Sequence, residues 1–220
     1  MKLPNHKLII GPKQESSGFL KTNSQKVTFL YENGISSSMT MDSVERKSLD
    51  VVVIMPYYVG YHDKHGDNII IYLRSCIRPA LVCRDYKSTE RFESDNIHNM
   101  WEFSAGLIEL EETGIDGIKS AASRELEEEV GFTVESNKFN QLGKRVFGSV
   151  GMMGERLYYL IVEIDPLAQK TPIEDGSPLE KFAKVERVSL DTAFMMMKSG
   201  EIYDTKTIIG LYKLKEYFSQ

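Results

Sequence analysis

Between Arg124 and Phe132 the chain reads Arg-Glu-Leu-Glu-Glu-Glu-Val-Gly-Phe. Glu125, Glu128 and Glu129 stand at spacings 0, 3 and 4, and on a helix turning ~100° per residue they share one face. Ala122, Leu126 and Val130 recur at i, i+4 and i+8 on another side, the stripe by which a helix packs on a core. Ala121-Ala122-Ser123 upstream is good helix-forming filler, and Gly131 stands at a favoured C-terminal stop. The pattern predicts a helix over 118–130 that packs on one side and presents carboxylates on the other. Crowded like charges repel. A hard divalent cation, magnesium or manganese, wants oxygen ligands and would remove the repulsion. The same spacing suits an ordinary solvated acidic face, and spacing alone leaves both readings open.

The rest of the chain predicts the setting for this helix. Strands are expected at 50–57 and 69–75, around a turn at His62-Asp63-Lys64-His65-Gly66-Asp67. Further strands are expected at 101–104, 138–148, 156–164 and 181–188, a loop rich in Pro, Asp and Glu at 166–180, and helices at 190–198 and 204–218. Mixed strands and helices in this order give an α/β/α sandwich. Before it, Lys26–Tyr31 reads as a strand, Asn33-Gly34 as a hairpin signal, and Ile35 to Arg46 as the returning strand. The division predicted is an antiparallel β arm over 1–48 and a main domain over 49–220. So small an arm has little core of its own, which favours packing on the main domain or dimerisation.

At 220 residues, with 41% apolar and 27% charged residues, the composition is that of an ordinary soluble protein. The formal net charge of −5 argues against a nucleic-acid-binding surface. It leaves room for a small phosphorylated ligand, because a bound cation supplies local positive charge. Cys76 and Cys83 suggest reduced thiols rather than a disulfide framework. No apolar run approaches the ~18 residues of a membrane span, and Met1–His6 lacks the apolar stretch of a signal peptide, so the expected setting is the cytoplasm. His62-x-x-His65 reads as an exposed turn, Gly148-Ser149-Val150-Gly151 as a strand-connecting loop, and Met195-Met196-Met197 as helix packing.

The stretch Ala105 to Phe132 resembles the Nudix hydrolases. Their signature is a glycine, five residues, a glutamate, seven residues, then Arg-Glu-apolar-x-Glu-Glu-x-Gly-apolar. The second half matches at every position. Gly106 is followed at the right distance by Glu112, but eleven residues rather than seven separate Glu112 from Arg124. A four-residue insertion within 112–117, in the loop before the helix, accounts for this. It leaves open whether Glu112 or Asp116 pairs with Arg124. Other segments are similar to the ADP-ribose and nucleoside-diphosphate-sugar pyrophosphatases of that family. They are Leu49–Pro56, Ile69–Arg74, Ile77-Arg78-Pro79-Ala80, Trp101–Gly106 (with Ser104 where proline is usual) and Ser199–Leu211.

The resemblance implies magnesium- or manganese-dependent hydrolysis of a nucleoside diphosphate sugar, ADP-ribose favoured, to a nucleoside monophosphate and a sugar phosphate. UDP- or GDP-sugars and dinucleoside polyphosphates are alternatives, and so is a non-catalytic nucleotide-sensing module. Glu125, Glu128, Glu129 and the Ala105 carbonyl are the implied metal ligands. Arg124 orients the carboxylates. Glu180, or failing it Glu174, is the implied general base from a loop that closes as a lid. Arg78, Glu102 and Arg74 are the implied substrate contacts. The arm implies a homodimer. No nucleic-acid or membrane partner is expected.

Overall fold

The computed structural model describes residues 19–30, 36–62, 66–83, 99–173, 179 and 183–219. Its centre is a long strand, β3 (Val51–His62), whose first five residues are apolar and buried without a break. That is the signature of a strand covered on both faces. Side chains alternate across it. Val51, Val53 and Met55 point to one layer, and Val52 and Ile54 to the other.

Beside β3 run β9 (Arg156–Glu163), which is parallel to it, and on the other side β6 (Ser104–Leu107) and β4 (Gly66–Ile77), both antiparallel. β6 pairs with Val51–Ile54 and β4 with Tyr57–His62. Pro56, which has no N–H to donate, falls in the gap between those two partners. β5 (Asn99–Glu102) pairs with the end of β4, and β10 (Val185–Ser189) with its middle. Two-residue strands β7 (Asn140–Gln141) and β8 (Val146–Phe147) lie against β9.

One face of this mixed sheet is covered by α2 (Gly114–Val130). Ala121, Ala122, Leu126 and Val130 are buried there against Val52, Ile54, Leu160 and Phe132. The other face is covered by α3 (Leu190–Lys198) and α4 (Thr205–Phe218), with Met196, Leu211 and Leu214 buried on Val53, Trp101 and Tyr159. A short helix, α1 (Pro79–Val82), follows β4. The expected α/β/α sandwich is therefore present, with Leu126 alone worth roughly 2 kcal/mol of burial.

The arm is a two-stranded antiparallel ribbon, β1 (Lys21–Leu30) with β2 (Ser36–Glu45). Its foot is tied to the main body. Val44 N–H donates to Met152 O at 2.9 Å, and Arg46 donates to the Leu49 carbonyl and pairs with Glu155. The Asn33-Gly34 turn, residues 1–18 and His65 lie outside the described residues.

Several expected boundaries move. The strand expected at 101–104 is two, β5 and β6, with Phe103 between them, and those expected at 50–57 and 69–75 lengthen to Val51–His62 and Gly66–Ile77. The helix begins at Gly114 rather than 118, because the Thr113 carbonyl accepts from Gly117 N–H and opens the first turn. The residues read as a loop insertion thus form helix. The expected strand at 138–148 breaks into β7 and β8, since Gly143 takes φ 70° and turns the chain between them. The last strand begins at Val185 rather than 181. Of the three methionines read as packing, Met196 is buried and Met197 packs on the core, but Met195 is exposed. Among the described residues no helix is long and apolar enough to cross a membrane.

Candidate active site

Strand alternation carries Arg74 and Cys76 to one side of β4, with Arg78 just beyond its end. β6 brings Ala105 and Gly106 alongside, and α2 lays Arg124, Glu125, Glu128 and Glu129 across them. These residues line one cleft of about 390 Å³, together with Leu107, Glu109 and Leu179. The three predicted glutamates, Arg124, Ala105, Arg74 and Arg78 are thus brought together. Glu127 is not among them, and its carboxylate accepts from the Thr133 hydroxyl at 2.7 Å. Glu174 and Glu180 lie outside the described residues. Leu179, which stands between them in the chain, reaches the cleft wall.

Two largely buried carboxylates anchor two of the cleft's arginines; Glu129 lines the cleft, but Glu102, expected as a substrate contact, is not among the lining residues. Glu129 accepts from Arg74 Nη1, from the Ser104 hydroxyl at 2.7 Å and from Ala105 N–H at 3.1 Å. Glu102, 1% exposed, accepts from Arg78 Nε at 2.9 Å and Nη2 at 2.5 Å. The two locks lie side by side, because Arg74 and Glu102 are directly paired across β4 and β5. The hydrogen bonds from Arg78 to Glu102 raise the guanidinium's pKa further, against the opposing effect of burial, so Arg78 is permanently charged. Cys76 is a buried thiol with its pKa pushed up, chiefly by burial, which disfavours the thiolate.

Arg124 stands at the other wall. Its Nη2 donates to the Leu107 carbonyl at 3.0 Å and pairs with Glu112 at 3.2 Å, while Nη1 donates to Glu125 at 2.6 Å and lies 3.6 Å from Glu128. Burial disfavours its charge, but the bonds and charges of Glu112 and Glu125 outweigh that and raise its pKa. Glu112 also accepts from Glu109 N–H at 2.8 Å. The partner of Arg124 is therefore Glu112, and Asp116 sits in the first turn of α2 instead. Gly106 explains how close β6 and α2 come. A Cβ there would fall inside the Glu125 carboxylate group.

An all-oxygen donor set of Glu125, Glu128, Glu129 and the Ala105 carbonyl suits a hard cation such as magnesium or manganese. The residues fit in type and line one cleft. Among the described residues, however, no three acidic, histidine or cysteine side chains close around one point. The physical reason is that Arg74 holds Glu129 and Arg124 holds Glu125, so a cation competes with two guanidinium groups for its ligands.

A second hollow, of about 300 Å³, adjoins the first along Ala105–Leu107. It shares those three residues and Arg78 with the first and adds Phe19, Arg46, Val51, Glu155 and Lys206. Sequence reasoning did not reach Lys206, Arg46 or the Ser104 hydroxyl. The signal for Ser104 was its place where the resembling family has proline; Lys206 lies 104 residues from Glu102, beyond any local pattern.

A similar fold is found in a solved structure of an ADP compounds hydrolase. It superposes with a TM-score of 0.60 over 94% of this chain and 90% of that one, at 18% sequence identity. The two share a fold. No family model and no curated protein matches the chain.

Proposed function

We propose that the chain hydrolyses the phosphoanhydride bond of a nucleoside diphosphate sugar, ADP-ribose before UDP- or GDP-sugars, with magnesium or manganese as cofactor. The observation that carries this reading is the meeting of Glu125, Glu128 and Glu129 with Arg78 across one cleft. The resemblance of Arg124–Phe132 to the Nudix signature supports it, and so does the shared fold with a hydrolase of ADP compounds.

Glu125, Glu128, Glu129 and the Ala105 carbonyl would hold the cation, which supplies an acidified water and a clamp on phosphoryl oxygens when bound. Arg124, fixed by Glu112 and the Leu107 carbonyl, aims Glu125 and Glu128. Arg78 meets the substrate phosphate, with Glu102 holding it side-on. Arg74 positions Glu129. Water attacks one phosphorus, the anhydride P–O bond breaks, and the departing phosphate keeps the electron pair. The water proton passes to a carboxylate, for which Glu180 leads and Glu174 follows; Leu179 at the cleft wall supports that loop as the source. The exposed Met39 and Met41 on β2 fit the reading of the arm as a homodimer contact.

The test is release of nucleoside monophosphate from ADP-ribose, UDP-glucose, GDP-mannose and NADH, with and without magnesium, by wild type and Glu129→Gln. Magnesium-dependent cleavage is expected, with Glu129→Gln at least about a hundredfold slower. Magnesium at a hundredfold excess over its Kd should also add about 2.7 kcal/mol of stability. The hold of Arg74 on Glu129 favours one second reading, a nucleotide-sensing module. Binding of ADP-ribose by both proteins with cleavage by neither would select it.

A further inference from the structure

The hollow along Ala105–Leu107 brings Lys206, which the cleft reading leaves unused, beside Arg78. Lys206 lies in the first turn of α4, and a set of hydrogen bonds fixes that turn to β5. Tyr203 donates to the Asn99 carbonyl at 3.0 Å, and Phe103 N–H donates to Thr207 Oγ1 at 3.0 Å. The Thr207 hydroxyl and N–H both donate to Asp204 Oδ2 at 2.9 Å. Lys206 Nζ then donates to Asp204 Oδ1 at 2.7 Å and stands 3.7 Å from Glu102 Oε2. Glu102 is the same carboxylate that grips Arg78. One buried group is thus the base for two cations from distant parts of the chain.

Both cations keep donors for a ligand. A guanidinium held along its Nε–Nη2 edge has further N–H bonds directed outward, and the Arg78 side chain is 40% exposed. An ammonium has three donors, and Lys206 makes one short bond. Arg78 and Lys206 line the same hollow, and both reach the same Glu102 oxygen. Donors fixed before the ligand arrives lose little entropy on binding.

We propose that Lys206 binds substrate: with Arg78 it forms a two-point clamp on one phosphoryl group of a diphosphate. Clamped there, that group leaves the anhydride bond over Ala105–Leu107 and the second phosphoryl group toward Glu125, Glu128 and Glu129. The substrate class this suits carries two linked phosphoryl groups; a simple phosphate monoester could occupy only the clamp half. The identity of the second half as a hydrolytic centre rests on the function proposed above; the clamp itself does not.

Two measurements on wild type, Lys206→Met and Lys206→Arg test it. In the first, inorganic pyrophosphate is added with divalent ions chelated and the melting temperature is read. Wild type should rise, Lys206→Met should lose most of the rise, and Lys206→Arg should recover part of it. In the second, steady-state turnover of ADP-ribose with magnesium should show KM raised about tenfold or more in Lys206→Met, with kcat within about threefold. A merely structural lysine would lower the melting temperature without moving KM. Where Lys206→Met melts early, Lys206→Gln, which keeps a hydrogen bond to Asp204, carries the same comparison. The clamp is overturned if pyrophosphate does not stabilise wild type, or if the variants match wild type in both measurements. If wild type cleaves no sugar nucleotide, the hydrolase reading falls while the pyrophosphate comparison still decides the clamp.

Discussion

Replacing Gly106 by alanine separates the stability of this fold from the placement of its site. The added Cβ would fall inside the Glu125 carboxylate. Restoring an ordinary contact of ~3.5 Å moves that group by more than about 1 Å. The displaced atoms end a flexible side chain, so the fold yields cheaply. An off-rotamer side chain costs about 1 kcal/mol, and loss of the partly exposed Arg124–Glu125 pair costs up to about 1 kcal/mol. Gly→Ala in a strand returns roughly 0.5–1 kcal/mol. The net is about 1 kcal/mol, or roughly 2–4 °C in Tm for a chain of this size. On the function proposed above, the same 1 Å at a metal-holding carboxylate costs about a hundredfold in rate. The assay pairs thermal melting with kcat/KM for ADP-ribose at saturating magnesium. Gly117→Ala is the contrast. There a Cβ meets the Glu112 backbone itself, which cannot swing aside, so the melt should fall much further. Gly106→Ala with kcat/KM within about threefold of wild type would refute the reasoning, and so would a Tm loss as large as that of Gly117→Ala.

Two other perturbations follow from the buried charges. Arg74→Met leaves Glu129 without its guanidinium in a site where both side chains are at most 10% exposed. A loss of about 3–5 kcal/mol is expected, read by urea melts, and magnesium should return more stability to this variant than to wild type; equal gains would count against Glu129 as a ligand. Asp204 has its pKa lowered: burial works to raise it, but the Lys206 charge and the bonds from Lys206 and Thr207 outweigh burial. A depressed folded pKa means stability that is present above the unfolded value near 3.8 and lost as pH falls below it. The Tm gap between wild type and Asp204→Asn, which keeps the helix cap, should therefore hold from about pH 8 to pH 5 and shrink progressively as pH falls below about 4. A gap that does not shrink there would show that something other than charge sustains it.

The acidic stripe was legible because helical spacing is local. Glu125, Glu128 and Glu129 share a face by arithmetic, and Leu126 with Val130 fixes which face is buried. The sandwich was legible for the same reason, since β3 announces its burial in five consecutive apolar residues. The start of α2 was hidden because the Gly114–Gly117 segment carries two glycines, and glycine disfavours helix interiors. Its helical start follows from the Thr113–Gly117 hydrogen bond.

What stayed illegible is how cations are shared out. Arg74 and Arg78 read alike in sequence, four residues apart on one strand edge. The fold gives Arg74 a carboxylate from α2 and Arg78 one from β5, and only the second is left substantially exposed to the cleft. Their roles diverge for a reason of topology. β5 ends at Glu102, opposite Arg74, so the carboxylate reaches outward to Arg78, while Ser104 and Ala105 of the next strand turn Glu129 inward to Arg74. Lys206 completes the outer pair because Asp204 caps α4 at the point where it crosses β5. Arg78 and Ala105–Leu107 thus line both hollows, one of which holds Glu125, Glu128 and Glu129 and the other Lys206. A molecule with two linked phosphoryl groups is the ligand proposed to reach from one to the other.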